Sequence, residues 1–135
     1  MSPKGRDELM KQFLRWLPAL GWMAVIFAFS SQAHSGQITE AYLHGANILV
    51  RKMAHMAEYA VLAILYRRAM GGHTTLALLL TFLYAATDEW HQSFVPGRSA
   101  SPIDVLVDTA GGWLGLSGLL LVLAQAKAQA KQNQK

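Results

Sequence analysis

"TTLALLLTFLYAATDEWHQSFVPGR", residues 74–98, holds the decision about the fold. Its first fourteen residues carry no charge, and their only polar side chains are four threonines and one tyrosine. A helix on the surface of a water-soluble bundle needs a polar stripe opposite its apolar one, and threonines alone do not supply it. Residues 74–90 therefore read as an apolar helix facing lipid. Two carboxylates, a histidine, a glutamine and an arginine then arrive where the apolar run ends. That placement raises the functional question.

The rest of the chain agrees with this start. Its 135 residues leave room for one domain. Apolar residues make up 53% and charged ones 15%, against roughly 25% charged in an average soluble domain. Mean hydropathy is +0.22. The charges are clumped rather than spread. A single membrane domain is expected over 1–135, with a basic N-terminal region at 1–15, a bundle at 16–124 and a polar tail at 125–135. The absence of cysteine excludes disulfides and Cys-ligated zinc or iron–sulfur sites. The net charge of +4 does not call for nucleic acid. The basic residues sit at segment ends, no Gly-rich phosphate loop or internal repeat is present, and no basic patch is interleaved with aromatics.

Four apolar segments predict an all-α polytopic membrane bundle of about four transmembrane helices. The first, Trp16 to Ser30, is short for a span of about 20 residues, although "FLRW" before it extends the helix. Its basic start and the "SQA" at 31–33 also resemble a signal peptide, but three further spans already require insertion. The second segment runs from 53 to 66 and stops at Arg67 and Arg68. Ahead of it, from Thr39, Tyr42, Ala46, Leu49, Val50 and Met53 fall at helical spacing. That stretch predicts an interfacial amphipathic helix. The third segment follows a "GGH" turn, and the fourth runs from 103 to 124.

Basic residues orient the bundle. If four helices alternate, Lys4, Arg6, Lys11, Arg15, Arg67, Arg68, Lys127, Lys131 and Lys135 fall on one side, and Arg51, Lys52 and Arg98 on the other. The positive-inside rule then places both termini in the cytoplasm of a bacterial inner membrane. The start of helix two, the end of helix three and the start of helix four meet at the outer face, where the ionisable residues are.

On helix two, Lys52, His55, Glu58 and Tyr59 share a face. Asp88, Glu89, His91 and Gln92 crowd the end of helix three, and helix four adds Asp104 and Asp108. Ionisable groups near a span are expensive and face a partner or an aqueous cavity. Several have local explanations. Ser101, Pro102 and Asp104 make a helix start. "PGR" at 96–98 makes a tight turn that carries Arg98. Trp90 and Phe94 suit the interface, and Gly111, Gly115 and Gly118 form a packing stripe. Asp88 and Glu89 resist this treatment, because a carboxylate at a helix C-terminus faces the negative end of the dipole. Arg98, Lys52, a neighbouring helix N-terminus or a bound cation must compensate. Asp108 lies too deep to be a cap.

"RKMAHMAEYAVLAILYRR" and "DEWHQSFVPGRSASPIDVLVDTAGGWLG" together resemble the VanZ-like membrane protein family. The likeness covers about residues 48 to 118. It rests on Lys52, His55 and Tyr59, then Glu89, Gln92, Pro96, Gly97 and Arg98, then Asp104. Many similar chains carry Asn where this one has Asp108. The family is named for a protein giving low-level resistance to teicoplanin. The resemblance implies a multipass bacterial membrane protein linked to the cell envelope, with no agreed mechanism to carry over.

Three mechanisms follow from these residues. A binding site would use Lys52, Glu58, Tyr59, Asp88, Gln92, Arg98 and Asp108 to hold an envelope lipid or a glycopeptide-related ligand among membrane lipids. Its difficulty is that five carboxylates outnumber the bases. An enzyme would use His55, Glu89 and Asp104 as candidate acid–base groups, with Arg98 on an oxyanion or phosphate. No cofactor is required, although His55, Glu58, Glu89, His91, Asp104 and Asp108 form a donor set that a divalent cation accepts. No metal motif fixes the ligands. The third option is a structural polar lock. Each of the first two expects Glu89, Arg98, His55 and Asp104 to converge on one cavity.

Overall fold

The computed structural model describes residues 2–33 and 46–134. Among them are four helices and no strand: α1 (Pro3–Ser30), α2 (Asn47–Ala69), α3 (Thr74–Gln92) and α4 (Pro102–Gln132). The segment expected to hold most of the interfacial helix, residues 34–45, lies outside the described residues. Leu49, Val50 and Met53 belong to α2 itself and are exposed.

The faces of α3 bear on the character of the bundle. Ala77, Thr81, Ala85, Asp88, Glu89 and Gln92 form its buried stripe, while Leu76, Leu79, Phe82 and Leu83 point outward. Small and polar side chains are inside and leucines are outside, the reverse of a helix that packs in water. α4 is similar but not identical: Asp108, Gly111, Gly112 and one leucine, Leu116, are buried, while Leu120, Leu121, Val122 and Leu123 are exposed. These are the faces of a membrane protein.

Two of the helices are long and apolar enough to cross a membrane, over Lys4–Ser30 and Pro102–Gln132. α2 and α3 fall short of that measure, which narrows the expectation of four spans. The reason is composition: α2 carries Arg51, Lys52, Glu58, Arg67 and Arg68, and α3 ends on "DEWHQ". α1 also begins much earlier than the apolar run does. Ser2 caps it by accepting from Gly5 N at 3.3 Å, and Lys11 pairs with Glu8 at 2.9 Å one turn away. At the other end α4 runs through the polar tail to Gln132 as an exposed helix.

The most extensive packing is between α2 and α4, and glycine permits it. A Cβ on Gly111 would lie 2.4 Å from the Met56 carbonyl oxygen, and one on Gly115 would lie 2.8 Å from that of Ala60. Without a hydrophobic drive between helices in lipid, such close backbone approach is how helices adhere. Gly118, the third member of the stripe, has nothing within 4 Å, so it does not belong to the contact.

α1 is an integral part of the bundle. The Trp22 indole donates to the Glu58 carbonyl at 2.8 Å, and the Tyr84 hydroxyl to the Met23 carbonyl at 2.7 Å. Tyr59, Leu62, Ala63 and Leu116 fill the centre.

Candidate functional site

α3 ends at Gln92, and the chain turns twice before α4. Arg98 N donates to the Val95 carbonyl at 3.2 Å, and Gly97 between them has φ +76°. Pro96 and Gly97 thus form the tight turn read from the sequence, and Arg98 stands at its end. Ser101 starts α4, its hydroxyl accepting from Ile103 N at 3.2 Å.

This corner and the first turns of α2 and α4 enclose a cavity of about 310 Å³. Lys52, His55, Glu89, Gln92, Arg98, Asp104 and Asp108 all line it. Arg51, not singled out as a site residue from the sequence, lines it too. Glu58, Tyr59 and Asp88 do not. Among the described residues, the charged lining is therefore three cations, Arg51, Lys52 and Arg98, against three carboxylates, Glu89, Asp104 and Asp108. The acid surplus counted along the sequence is not a surplus at the cavity.

Most of these charges already have partners. Lys52 Nζ sits 2.5 Å from Asp104 Oδ1, so Asp104 serves α2 as well as its own helix start. Glu89 Oε2 accepts from Ser101 N at 2.9 Å. The N-terminus of α4 thereby offsets the unfavourable end of α3 on which Glu89 sits. Arg98 Nη1 donates to Gln92 Oε1 at 2.7 Å, and Nη2 donates to the Phe29 carbonyl at 3.1 Å. Partial burial lowers the Arg98 pKa from its ordinary value, with neighbouring Arg51 acting in the same sense.

Asp88 belongs to a buried network beside the cavity. Its Oδ2 accepts from Ser30 Oγ at 2.7 Å, Gln92 Nε2 at 2.9 Å and Tyr59 Oη at 3.3 Å. These three donors, from three helices, offset the negative end of the α3 dipole at Oδ2, while Oδ1 is buried without a partner. The contribution of α1 was missed from the sequence. Ser30 ends an apolar run, and nothing in its spacing relates it to Asp88, 58 positions away.

Among the described residues, His55 Nδ1, Asp108 Oδ2 and Asp88 Oδ1 are buried without a hydrogen-bond partner. His55 Nδ1 lies 3.8 Å from Asp108 Oδ1 and 3.9 Å from Glu58 Oε2. His91, a member of the metal donor set, turns away instead. Its ring stacks on Phe27 at 4.5 Å, with Nε2 3.0 Å from Ser31 Oγ. Among the described residues no three His, Asp or Glu side chains are grouped as a metal ion would need.

A family model described as VanZ/LLP1 matches residues 13–124. No curated protein and no solved structure matches the chain.

Proposed function

The chain belongs to the VanZ/LLP1 family, and from that premise we propose that it is a multipass envelope protein that binds the polar head of a membrane lipid or lipid-linked precursor. In this reading all four helices cross the bacterial inner membrane, both termini lie in the cytoplasm, and the cavity opens toward the outer leaflet. The asymmetry of nine basic residues to three supports the orientation.

The observation that carries the reading is Arg51. It lines the cavity and makes no ion pair or hydrogen bond among the described residues. A guanidinium is suited to phosphate or carboxylate. The pairs Lys52–Asp104, Glu89–Ser101 and Arg98–Phe29 favour a second role for their own members, a polar lock that holds the cavity open between helices. Glycopeptide resistance rests on the family's name alone. Comparing teicoplanin susceptibility with and without the chain tests it separately.

Native mass spectrometry of the detergent-purified chain, titrated with phosphatidylethanolamine, phosphatidylglycerol and a polyisoprenyl phosphate, tests the binding reading. Arg51→Gln should weaken whichever of these binds by about tenfold. Equal retention of every lipid by both chains removes the reading.

A further inference from the structure

Two charged groups of the cavity, one cation and one carboxylate, are left unsatisfied among the described residues and differ in depth. Arg51 is half-buried on α2 and pairs with nothing among the described residues. Asp108 on α4 is 1% exposed, the most buried of the charged residues that line the cavity, and its Oδ2 accepts no hydrogen bond. Buried polar atoms without partners are rare in folded proteins, and a carboxylate oxygen is among the least tolerable. Between the two stands His55. It follows Arg51 at i,i+4 on one face of α2, and its Nδ1 is also unsatisfied, 3.8 Å from Asp108 Oδ1.

A ligand that completes this arrangement must bring an anion to Arg51 and a hydrogen-bond donor to Asp108 and His55. The other charged lining groups are each engaged elsewhere through at least one atom: Lys52 and Asp104 pair with each other, and Glu89 and Arg98 bond to main-chain groups. With three cations against three carboxylates among the described lining residues, that lining favours no net charge on the ligand. A simple anion would satisfy Arg51 and aggravate Asp108. A volume of about 310 Å³ is at the lower end for ligand pockets, sized for a head group and not for a whole lipid.

We infer that the cavity takes a zwitterionic head group, a phosphate linked through a short spacer to a primary ammonium. The phosphate oxygens meet the Arg51 fork. The ammonium donates to Asp108 Oδ2 and to His55 Nδ1. A quaternary ammonium has the same charge but no N–H, and a glycerol head has donors but leaves the phosphate charge uncompensated. The inference rests on the binding reading above and narrows it to one ligand chemistry.

The test compares lipids on the unaltered chain in detergent by native mass spectrometry, so that it does not depend on any variant folding. Phosphatidylethanolamine is expected to bind about tenfold more tightly than phosphatidylcholine, the value of a charge-assisted hydrogen bond. Phosphatidylglycerol is expected to bind more weakly than phosphatidylethanolamine. Soluble phosphoethanolamine is expected to displace phosphatidylethanolamine, and the ratio of their affinities says whether the free or the lipid-borne head is the ligand. Asp108→Asn, which keeps shape, is expected to erase the preference over phosphatidylcholine. Equal binding of the ethanolamine and choline lipids, or tighter binding of phosphatidylglycerol, overturns the zwitterion and leaves the binding reading in place. Failure of every lipid to bind removes both.

Discussion

Arg98 donates to the main-chain carbonyl of Phe29 at 3.1 Å, tying the turn after α3 to the last turn of α1. The final carbonyls of a helix lack intrahelical partners, and a cation there also meets the negative end of the dipole. The second arm of the fork reaches Gln92 at 2.7 Å. Arg98→Lys keeps the charge but cannot span both acceptors. It is expected to lower stability by about 1–2 kcal/mol, read from thermal unfolding in detergent by circular dichroism. An unchanged transition would show that the fork holds nothing together.

The glycine stripe offers a comparison within one helix. Gly111→Ala would drive a Cβ into the Met56 backbone, whereas Gly118→Ala meets nothing within 4 Å. Moving backbone apart at the α2–α4 contact is expected to cost about 1–3 kcal/mol. Gly118→Ala should be neutral or slightly stabilising, since Ala is the better helix former. Similar transitions for the two variants would mean that α2 and α4 are not held at this distance.

Asp88 is the hub of a buried network, and its variants should rank by acceptor capacity. Asp88→Leu would leave the Ser30 and Tyr59 hydroxyls and the Gln92 amide without their acceptor. A loss of about 2–4 kcal/mol is expected, since each orphaned buried donor carries its own desolvation penalty. Asp88→Asn keeps one carbonyl oxygen in place and should lose less. The same unfolding measurement decides the order. Asp88→Asn as damaging as Asp88→Leu would contradict the network.

How far these features could be read in advance depended on whether they were local. The helical class, the turn at Pro96 and Gly97, and the Ser101 cap each follow from a few adjacent residues. The convergence of Lys52, His55, Glu89, Arg98 and Asp104 on one cavity followed from alternating helices, a global but simple rule. Ser30 and the Phe29 carbonyl were not legible, because a helix end shows its acceptors only once the chain is folded against it. Arg51 was placed on the outer face but not among the site residues, for a similar reason. Beside Lys52 in sequence it looked like one more basic end residue, and only the pairing of Lys52 with Asp104 sets it apart. The early start of α1 was hidden by reading hydropathy, which finds the membrane portion of a helix and not its polar extension.

Orientation in the membrane can be tested without any ligand. Alkaline phosphatase and green fluorescent protein fusions at each terminus report opposite sides. Fluorescence without phosphatase activity at both ends is expected from the distribution of Lys and Arg. Single-cysteine labelling at Phe94, exposed on the turn after α3, should occur from the periplasm with an impermeant maleimide. Phosphatase activity at either terminus would reverse the placement of the cavity.

Glu89 separates the parts of the cavity that hold helices from the parts proposed to hold ligand. Its Oε2 accepts from Ser101 N at 2.9 Å, so it joins the end of α3 to the start of α4. Glu89→Gln preserves an acceptor of the same size. It gives up an attraction to the α4 N-terminus and relieves an opposition at the α3 C-terminus, each of about 0.3–1 kcal/mol. The two nearly cancel, and stability is expected to stay within about 1 kcal/mol of the parent. Glu89→Leu removes the acceptor, orphans the Ser101 N–H and should lose about 1–3 kcal/mol. Lipid binding then distinguishes the roles. If Glu89 is a helix tie, Glu89→Gln leaves the preference for phosphatidylethanolamine over phosphatidylcholine intact, where Asp108→Asn erases it. If Glu89→Gln erases the preference equally while the fold holds, the ammonium lies between Glu89 and Asp108, and Glu89 belongs with the ligand.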